Sequence, residues 1–448
     1  MTDDLSSRLL LSIEGNRLVV LCGAGLSMAN PSNLPSARRL AEICWQKFQR
    51  ITGHTLPNNT RDNLEVLAKH FWQKRNNEFV AVFIQKLLGS FWQDFRYDPN
   101  VGHQAIADFL ACGIVEFVIS TNLDILIEVA AENLGEKDFV AAIESHDMDR
   151  TEIHHKPLIK LHGCCVRTRD ETVWCDDQLN KDPVRKRIRG IKNWVKGRLP
   201  ERDLLIIGFW SDWAYLNKIL SDCVSQIEPR SVVLVDPSTD SELQAKAPEL
   251  WKWANDHSGY FEHVRQSGDM FLDELRYCFS ERFLVRLILD SESVYEKKCG
   301  KHSKPVELDK ALKISDLYAL RRDFTGEPTT SIVRIKRHSQ EHQLIGLYHL
   351  LLIGNGANLT GPYYQCNGKT IRLIHAAGQL LSSIKERFLK EPPPPTQPDL
   401  IACVGADDDP TPAHLVRSGT TGSIIRPGCT GKWITHRELF DELGVKVP

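Results

Sequence analysis

The feature that most constrains this chain is the stretch at residues 18–27, which reads Leu-Val-Val-Leu-Cys-Gly-Ala-Gly-Leu-Ser. Its apolar first part, residues 18–21, predicts a buried strand, and the glycines that follow let the backbone turn sharply and come close to a ligand. A helical pattern comes next. A strand, a glycine turn and a helix start in this order suit the pyrophosphate of a dinucleotide, and a plain tight turn is the alternative interpretation.

Composition restricts the class of protein. The 448 residues suggest two or three domains, and the 42% hydrophobic and 25% charged residues are typical of an ordinary soluble protein. The net charge of −2 argues against a molecule that binds polyanions over its whole surface, but it leaves local basic patches open. Twelve cysteines without a Cys-x-x-Cys pair fit reduced thiols better than a disulfide framework or a zinc module. With no signal peptide and no apolar run near the roughly 20 residues of a membrane span, we expect a cytoplasmic protein.

Strand and helix patterns alternate along the first part of the chain. Apolar runs that predict buried strands lie at residues 18–21, 114–119, 158–161, 204–207 and 232–235. Helical patterns separate most of them, which indicates an α/β fold with a doubly wound, Rossmann-like parallel sheet. Residues 36–112 predict a helical insertion over the strand ends, and residues 164–175 predict a short β-hairpin. We therefore expect one domain at 1–290 and a C-terminal α/β or α+β domain at 291–448, used for regulation, oligomerisation or partner binding.

Polar residues stand at the carboxyl ends of the predicted strands, where ligands bind in an open parallel sheet. In chain order they are Gly23, Ala24, Gly25 and Ser27, then Thr121, Asn122 and Asp124, then His162, then Gly208 and Ser211, and finally Asp236. Asn122 and Ser211 are also explained as caps of the helices that follow them. His162 and Asp236 are also explained as turn residues. The occurrence of the whole set in this order favours a shared ligand site.

These motifs resemble those of a known family. The order Gly-Ala-Gly-x-Ser, Thr-x-Asn-x-Asp, Lys-Leu-His-Gly and Gly-Phe-x-x-x-Asp resembles the sirtuin superfamily, and most of all its zinc-free bacterial branch found in anti-phage defence systems. The resemblance covers residues 16–285. Leu34-Pro35 matches the Gly-Leu-Pro segment of that branch, with Asn33 in place of the glycine, and His103 matches a histidine common there.

The resemblance implies that NAD is the substrate, and it implies a role for each strand end. The residues that would bind NAD are Gly23, Ala24, Gly25 and Ser27 at the pyrophosphate, Gly208, Ser211 and Asp236 at the adenosine half, and Thr121. Asn122 would bind the nicotinamide ribose and position a water, and Asp124 would support that loop or contact nicotinamide. His162 would act as the general base, a role that suits an ordinary histidine pKa near ~6.5.

Departures from the family pattern decide the subclass. Protein-deacylating sirtuins carry a four-cysteine zinc module after the histidine and a Gly-Ile-Pro-Asp-Phe-Arg segment, and neither occurs here. The resemblance therefore implies an NAD glycohydrolase that binds no zinc or other metal and releases nicotinamide and ADP-ribose. The alternatives are a protein deacylase or ADP-ribosyl transferase, and a non-catalytic subunit that senses NAD or ADP-ribose.

An NAD hydrolase of this branch would act in abortive infection by emptying the NAD pool of an infected cell, so its activity must be controlled. We expect control by homo-oligomerisation or by a partner such as a HerA-type ATPase translocase. Basic stretches at residues 184–196 and 331–391 are either solvated surface or contacts with a partner or nucleic acid. No membrane contact is expected.

Overall fold

The chain forms two compact units in the computed structural model. Unit one comprises Met1–Leu110, Ile114–Ala131 and Phe139–Asp273, and unit two comprises Ala111–Gly113, Glu132–Asp138 and Glu274–Pro448. The residues that the structure describes are 1–85, 98–136, 139–144, 146–148, 156–209, 228–303, 308, 312–326, 340–376, 380–388, 396–406 and 431–445. The predicted site residue Ser211 and part of the basic stretch at 331–391 lie outside them.

Six parallel strands form the sheet of unit one. They are β1 (Leu18–Cys22), β2 (Phe117–Ser120), β3 (Leu158–Lys160), β4 (Asp203–Ile207), β5 (Ser231–Val235) and β6 (Phe261–Val264). Their order across the sheet is β3-β2-β1-β4-β5-β6, and every neighbouring pair is parallel. This is the order of the doubly wound dinucleotide-binding fold, so the predicted fold class is confirmed. The order reverses between β1 and β4, which is where such sheets bind their ligands.

Burial explains why the sequence predicts five of the six strands. Nearly all side chains of β1 to β5 are buried, including all five of β1, and strands covered on both faces form continuous apolar runs. β6 is an edge strand that pairs only with β5, and its sequence Phe-Glu-His-Val is half-exposed throughout. A short edge strand with interleaved charge forms no apolar run, and for that reason the sequence analysis missed it.

Helices flank the sheet of unit one. They are α1 (Asp3–Glu14), α2 (Ala24–Met28), α3 (Ala37–Thr52), α4 (Leu64–Lys74), α5 (Asn76–Phe79), α6 (Val101–Ala111), α7 (Leu126–Asn133), α8 (Asp182–Arg198), α9 (Asp240–Lys246), α10 (Pro248–His257) and α11 (Gly268–Cys299), the last of which extends into unit two. Several begin at a capping side chain. Thr2, Ser36 and Asn63 each accept a hydrogen bond from a backbone N–H in the first turn, which satisfies a donor that the helix itself leaves open.

The predicted insertion at residues 36–112 is helical over most of its described part. α3, α4, α5 and a π-helix at Val80–Gln85 share a core that includes Phe48 and Phe71. Trp174, from the segment after β3, packs into the same core with its ring centroid 5.4 Å from that of Phe83. The insertion and the segment after β3 therefore pack together as one cap.

The β-hairpin predicted at residues 164–175 is wrong. The segment forms turns and a 3₁₀-helix at Arg169–Glu171. The hydroxyl of Thr168 accepts from the N–H of Cys164 at 2.9 Å, and the hydroxyl of Thr172 donates to the carbonyl of Arg169 at 2.7 Å. Such local side-chain bonds to the backbone compete with strand pairing, so the segment folds into a compact turn.

Unit two contains a second sheet, as the predicted C-terminal α/β or α+β domain requires. Its strands are β7 (Asn358–Thr360), β8 (Tyr363–Cys366), β9 (Lys369–His375), β10 (Leu400–Val404) and β11 (Lys432–Thr435), and its helices are α12 (Ile314–Thr325), α13 (Gln340–Gly354), α14 (Leu381–Phe388) and α15 (Leu439–Leu443). β7 to β9 form an antiparallel meander, and β9 to β11 are parallel. Asn367 and Gly368 join β8 to β9, and both have the positive φ of a type I′ turn. Among the described helices, none has the length and apolar character needed to cross a bilayer.

Candidate functional site

The turns after β1 and β4 touch each other where the strand order reverses. The N–H of Gly25 donates to the carbonyl of Gly208 at 2.9 Å, and the N–H of Gly23 donates to the carbonyl of Ile207 at 3.0 Å. A Cβ on Gly25 would lie 2.8 Å from the Cα of Gly208. A Cβ on Gly208, whose φ is +55°, would lie 2.5 Å from the nitrogen of Leu26. This backbone contact therefore requires glycine at both positions, whether or not a ligand is bound.

We expect Gly25→Val to lower the free energy of unfolding by about 1–3 kcal/mol, because its Cβ would meet backbone atoms that no rotamer change can move away. Urea denaturation of the variant measures this loss. The control is Gly197→Val on α8, where a Cβ meets nothing within 4 Å, and its denaturation midpoint should stay near that of the wild type. Equal stability of Gly25→Val and wild type would contradict the packing role of this glycine.

Ser27 lies at the centre of a buried hydrogen-bond network. Its hydroxyl donates to Asp124 Oδ2 at 2.9 Å, accepts from Asn122 Nδ2 at 3.0 Å and lies 3.1 Å from His103 Nε2. The N–H of Asn100 lies 3.3 Å from His103 Nδ1, so Nδ1 is the acceptor and Nε2 donates to Ser27. Burial lowers the pKa of His103 to about 4 and so keeps this ring neutral. The Ser27 hydroxyl is thus fully used within the protein and orients its neighbours, whereas the resemblance implied a pyrophosphate contact.

The same network fixes the direction of the Asn122 amide. Asn122 Nδ2 donates to the carbonyl of Gly23 at 3.2 Å as well as to Ser27. A carbonyl only accepts hydrogen bonds, so the amide nitrogen must face Gly23 and the side-chain oxygen Oδ1 must point away from it. Oδ1 is buried and has no hydrogen-bond partner among the described residues. Asn122 is one of the residues that line a cavity, and its Oδ1 is a buried acceptor whose direction this network fixes.

Asp124 and Thr121 hold the loop after β2. Asp124 Oδ1 accepts from the N–H of Leu126, the first residue of α7, at 3.1 Å, while Oδ2 accepts from Ser27. The sequence analysis offered Asn122 as a cap of the helix that follows it; in the structure the side chain that caps α7 is that of Asp124. The N–H and the hydroxyl of Thr121 both reach the carbonyl of Cys22, at 3.0 and 3.4 Å. The loop after β2 is therefore tied to β1 and to the turn after it.

His162 follows β3 and is 3% exposed. Its carbonyl accepts from the N–H of Val173 at 3.0 Å. Burial, helped by the positive charge of Arg187, lowers the pKa of the His162 ring to about 4, although a hydrogen bond with the Val173 backbone opposes this shift. The ring is therefore neutral at pH 7 and able to accept a proton, but its proton affinity is lower than the sequence analysis expected.

Two cavities meet at these residues. An open cleft of about 1770 Å³, counted with its solvent-open part, is lined by Ala24, Gly25, Thr121, His162, Gly208 and Asp236 among others. A smaller cavity of about 610 Å³, also counted with its solvent-open part, is lined by Ala24, Ser27, Thr121, Asn122, Asp124 and His162 and by apolar side chains that include Leu34, Leu64 and Trp174. Because Ala24, Thr121 and His162 line both, the two cavities are neighbours at these residues.

Gly23, Ser211 and Asp236 complete the predicted set. Gly23 is buried in the contact between the turns and lines neither cavity. Ser211 lies outside the described residues. Asp236 lines the cleft, and its Oδ1 also accepts from the N–H of Ser238 at 2.8 Å, so the turn interpretation and the site interpretation both apply to it.

Lys160 supports the loop after β2 from within the protein, a role that the sequence analysis missed. Its side chain is 1% exposed, its ammonium lies 2.6 Å from Glu128 Oε1, and it donates to the backbone carbonyl of Asp124. Burial alone would lower the pKa of Lys160, but the carboxylate of Glu128 and other nearby negative charge raise it, so the lysine is charged. A charged side chain buried at the end of β3 thus clamps the loop that carries Asn122. The only sequence signal is a lysine inside an apolar strand.

We expect Lys160→Met to lower the free energy of unfolding by about 3–5 kcal/mol, because the carboxylate of Glu128 would stay buried without its partner. Thermal or urea denaturation measures this. The double variant Lys160→Met with Glu128→Leu removes both charges and should recover most of the stability, while the contact with Asp124 stays lost. A single variant as stable as the wild type would refute the clamp.

No group of three or more His, Cys, Asp or Glu side chains suited to a metal ion occurs within the part of the chain that the structure describes. The ten described cysteines are all free thiols. The expectation that the protein needs no zinc stays a prediction.

Comparison with known proteins supports the family resemblance for part of the chain. Residues 116–257 match the family model described as a SIR2-like domain. This range contains Thr121, Asn122, His162, Gly208 and Asp236, and it begins after the glycine turn of β1. Among curated proteins, the search found no significant match.

Solved structures of Sir2 proteins are among the matches. A Sir2 homologue in complex with NAD has 16% identity and a TM-score of 0.36, covering 60% of this chain and 91% of that one. A triple mutant of Sir2 homologues with 2′-O-acetyl ADP-ribose has 18% identity and a TM-score of 0.36, covering 61% and 95%. A Sir2 complex with an inhibitor, 2′-O-acetyl-ADP-ribose and a deacetylated peptide has 15% identity and a TM-score of 0.33, covering 60% and 96%. What the comparisons identify in this chain is a segment similar to a SIR2-like domain at residues 116–257.

Proposed function

We propose that this protein hydrolyses NAD at the bond between nicotinamide and ribose, giving nicotinamide and ADP-ribose. The observation that carries the proposal is that Asn122, whose side-chain amide is held in one direction, lines the same cavity as His162, whose ring is neutral. The match of residues 116–257 to a SIR2-like domain and the cleft at the point where the strand order reverses support NAD as the substrate.

The two cavities suggest how NAD would lie. The adenosine half would occupy the cleft beside Gly208 and Asp236, and the pyrophosphate would cross the exposed turn at Ala24 and Gly25. The nicotinamide ribose would reach His162, which lines both cavities, so that the nicotinamide ring enters the smaller, mainly apolar one. Ser27 would hold the Asn122 amide in place, and His103 would hold Ser27. Neither side chain would contact the pyrophosphate.

The chemistry requires little more than these groups. As the C1′–N bond breaks, its electron pair passes to nicotinamide, which is already cationic and leaves as a neutral molecule. Asn122 Oδ1 would accept a hydrogen bond from the ribose or from the attacking water and so hold the reacting atoms in place. The water oxygen bonds to C1′, and its proton passes to the neutral ring of His162 and then to solvent.

Hydrolysis is favoured over deacylation by the segment after His162. Where deacylating sirtuins carry a zinc module, this chain has compact turns and 3₁₀-helices that pack against the helical insertion through Trp174. The test is to incubate the full-length protein with NAD, with and without an acetyl-lysine peptide, and to measure nicotinamide. Equal release in both samples supports hydrolysis, whereas release that requires the peptide would show a deacylase.

We further propose that the protein is a cytoplasmic effector of anti-phage defence that depletes NAD, under the control of its own oligomerisation or of a partner such as a HerA-type ATPase. The sequence resemblance to the defence branch supports this role. Infection of cells that express wild type or Asn122→Ala, with NAD measured over time, tests it. NAD that falls on infection only with the wild type is the expected result, and equal NAD levels in both strains would contradict it.

A further inference from the structure

One face of α8 carries a continuous row of positive charge. Residues 181–202 contain nine basic and two acidic residues, in a chain whose net charge is only −2. Four of the basic residues recur at i, i+4, i+7 and i+11, which places them within about 60° of one another around the helix. These four, here named the basic stripe, are Arg185, Arg189, Lys192 and Lys196.

The basic stripe faces solvent on a helix whose opposite face is packed into the core of unit one. Its two arginines are exposed and its two lysines are half-exposed. The opposite face of α8 places Ile191 and Trp194 in the main core of unit one. On that inner face the guanidinium of Arg187 donates to the carbonyl of Glu171 at 2.9 Å. The charges are thus held on a fixed helix, so binding would require little reorganisation of the backbone.

The surroundings of the basic stripe favour a partner recognised through charge. The one acidic residue of α8 is Asp182, which pairs with Arg185, and both side chains are 64% exposed, so the pair contributes little. No large hydrophobic side chain is exposed between residues 181 and 202, all of which the structure describes. The centres of protein interfaces are enriched in Trp, Tyr and Arg, and this face offers arginines but no aromatic anchor. A polyanion needs no such anchor.

The length of the basic stripe fits a nucleic-acid strand. From Arg185 to Lys196 the helix advances about 16 Å at ~1.5 Å per residue. One strand of a DNA duplex places a phosphate at every ~3.4 Å of its axis, so about five phosphates lie within reach. We propose that the basic stripe of α8 binds the phosphate backbone of nucleic acid without base specificity.

The test uses the full-length protein and a short fluorescein-labelled duplex DNA of mixed sequence, with binding followed by fluorescence anisotropy over a range of KCl concentrations. Four phosphate contacts at ~0.9 each predict a slope of about −3.6 in log K against log salt. The variant Arg185→Gln, Arg189→Gln, Lys192→Gln and Lys196→Gln should lose most of this slope and bind at least about 30-fold more weakly at low salt.

A matched control removes the same charge elsewhere. Its four substitutions, all at exposed lysines, are Lys252→Gln, Lys297→Gln, Lys298→Gln and Lys301→Gln. The control should bind DNA with nearly the wild-type slope. If the stripe variant unfolds, Arg189→Gln and Lys196→Gln can be measured singly, and each should reduce the slope by about 1.

Three outcomes would overturn the proposal. In the first, the stripe variant and the control lose equal affinity, which would show that DNA responds only to total charge. In the second, the wild type prefers one DNA sequence over a permuted one by more than about 10-fold, which backbone contacts alone do not produce. In the third, the wild type binds poly-glutamate but not DNA through the stripe, which would indicate an acidic protein partner.

Discussion

Replacing Asn122 with alanine should reduce nicotinamide release by at least about 100-fold, the size of effect seen when one preorganised polar group is removed from an active site. The expectation follows from the network around Ser27, which fixes Nδ2 and leaves Oδ1 as the oriented acceptor. Steady-state assay of NAD consumption measures it. Circular dichroism should show a folded protein, because the Ser27 hydroxyl still donates to Asp124.

Two further variants test whether activity depends on the orientation of the Asn122 amide as well as on its presence. Ser27→Ala keeps Asn122 but removes one of its two anchors, so we expect a smaller loss than with Asn122→Ala. Asn133→Ala changes an exposed asparagine at the end of α7 and should leave the rate unchanged. An Asn122→Ala protein with full activity would show that the reaction takes place elsewhere in the protein.

His162 should control the acid side of the pH profile. Its ring pKa is lowered to about 4 by burial and the charge of Arg187, so the ring stays neutral as the pH falls from 8 towards 5. We therefore expect kcat/KM for NAD to remain nearly constant over that range and to fall only as the pH approaches the ring pKa, where protonation removes the base. A histidine with an ordinary pKa would lose half of its activity near pH ~6.5.

The variant His162→Gln tests the same group by removing it. We expect kcat to fall by about 10²–10⁴-fold, the usual contribution of a general base, with little change in the folded structure. Circular dichroism at each pH separates loss of the base from loss of the fold. A wild-type profile that titrates near pH ~6.5 would contradict the buried, neutral state of His162.

The sequence predicts the sheet and the candidate site well where both depend on local pattern. β1 and β4 are fully buried, so their apolar runs are unmistakable, and the polar residues after them must lie at one edge because the strands are parallel. β6 was missed because an edge strand is only half-buried. The hairpin at 164–175 was predicted wrongly because alternation alone does not reveal the side-chain bonds of Thr168 and Thr172.

The roles within the site depend on contacts between distant parts of the chain, which sequence spacing does not give. Ser27 follows the glycine turn and looks like a ligand contact, but its hydroxyl is used by residues 76 to 97 positions away. Lysine is usually a surface residue, so the sequence does not indicate that Lys160 is buried. The structure shows the burial of its side chain and its ion pair with Glu128. The lowered pKa of His162 likewise results from burial beneath elements that the sequence does not place.

The most direct test of the central claim is to incubate the purified full-length protein with NAD and no peptide, beside Asn122→Ala, and to quantify nicotinamide and ADP-ribose. We predict equal amounts of the two products from the wild type and almost none from the variant. Equal product from both proteins would contradict the assignment of the site. Wild-type protein that binds NAD but releases no nicotinamide would contradict hydrolysis and favour a subunit that senses NAD.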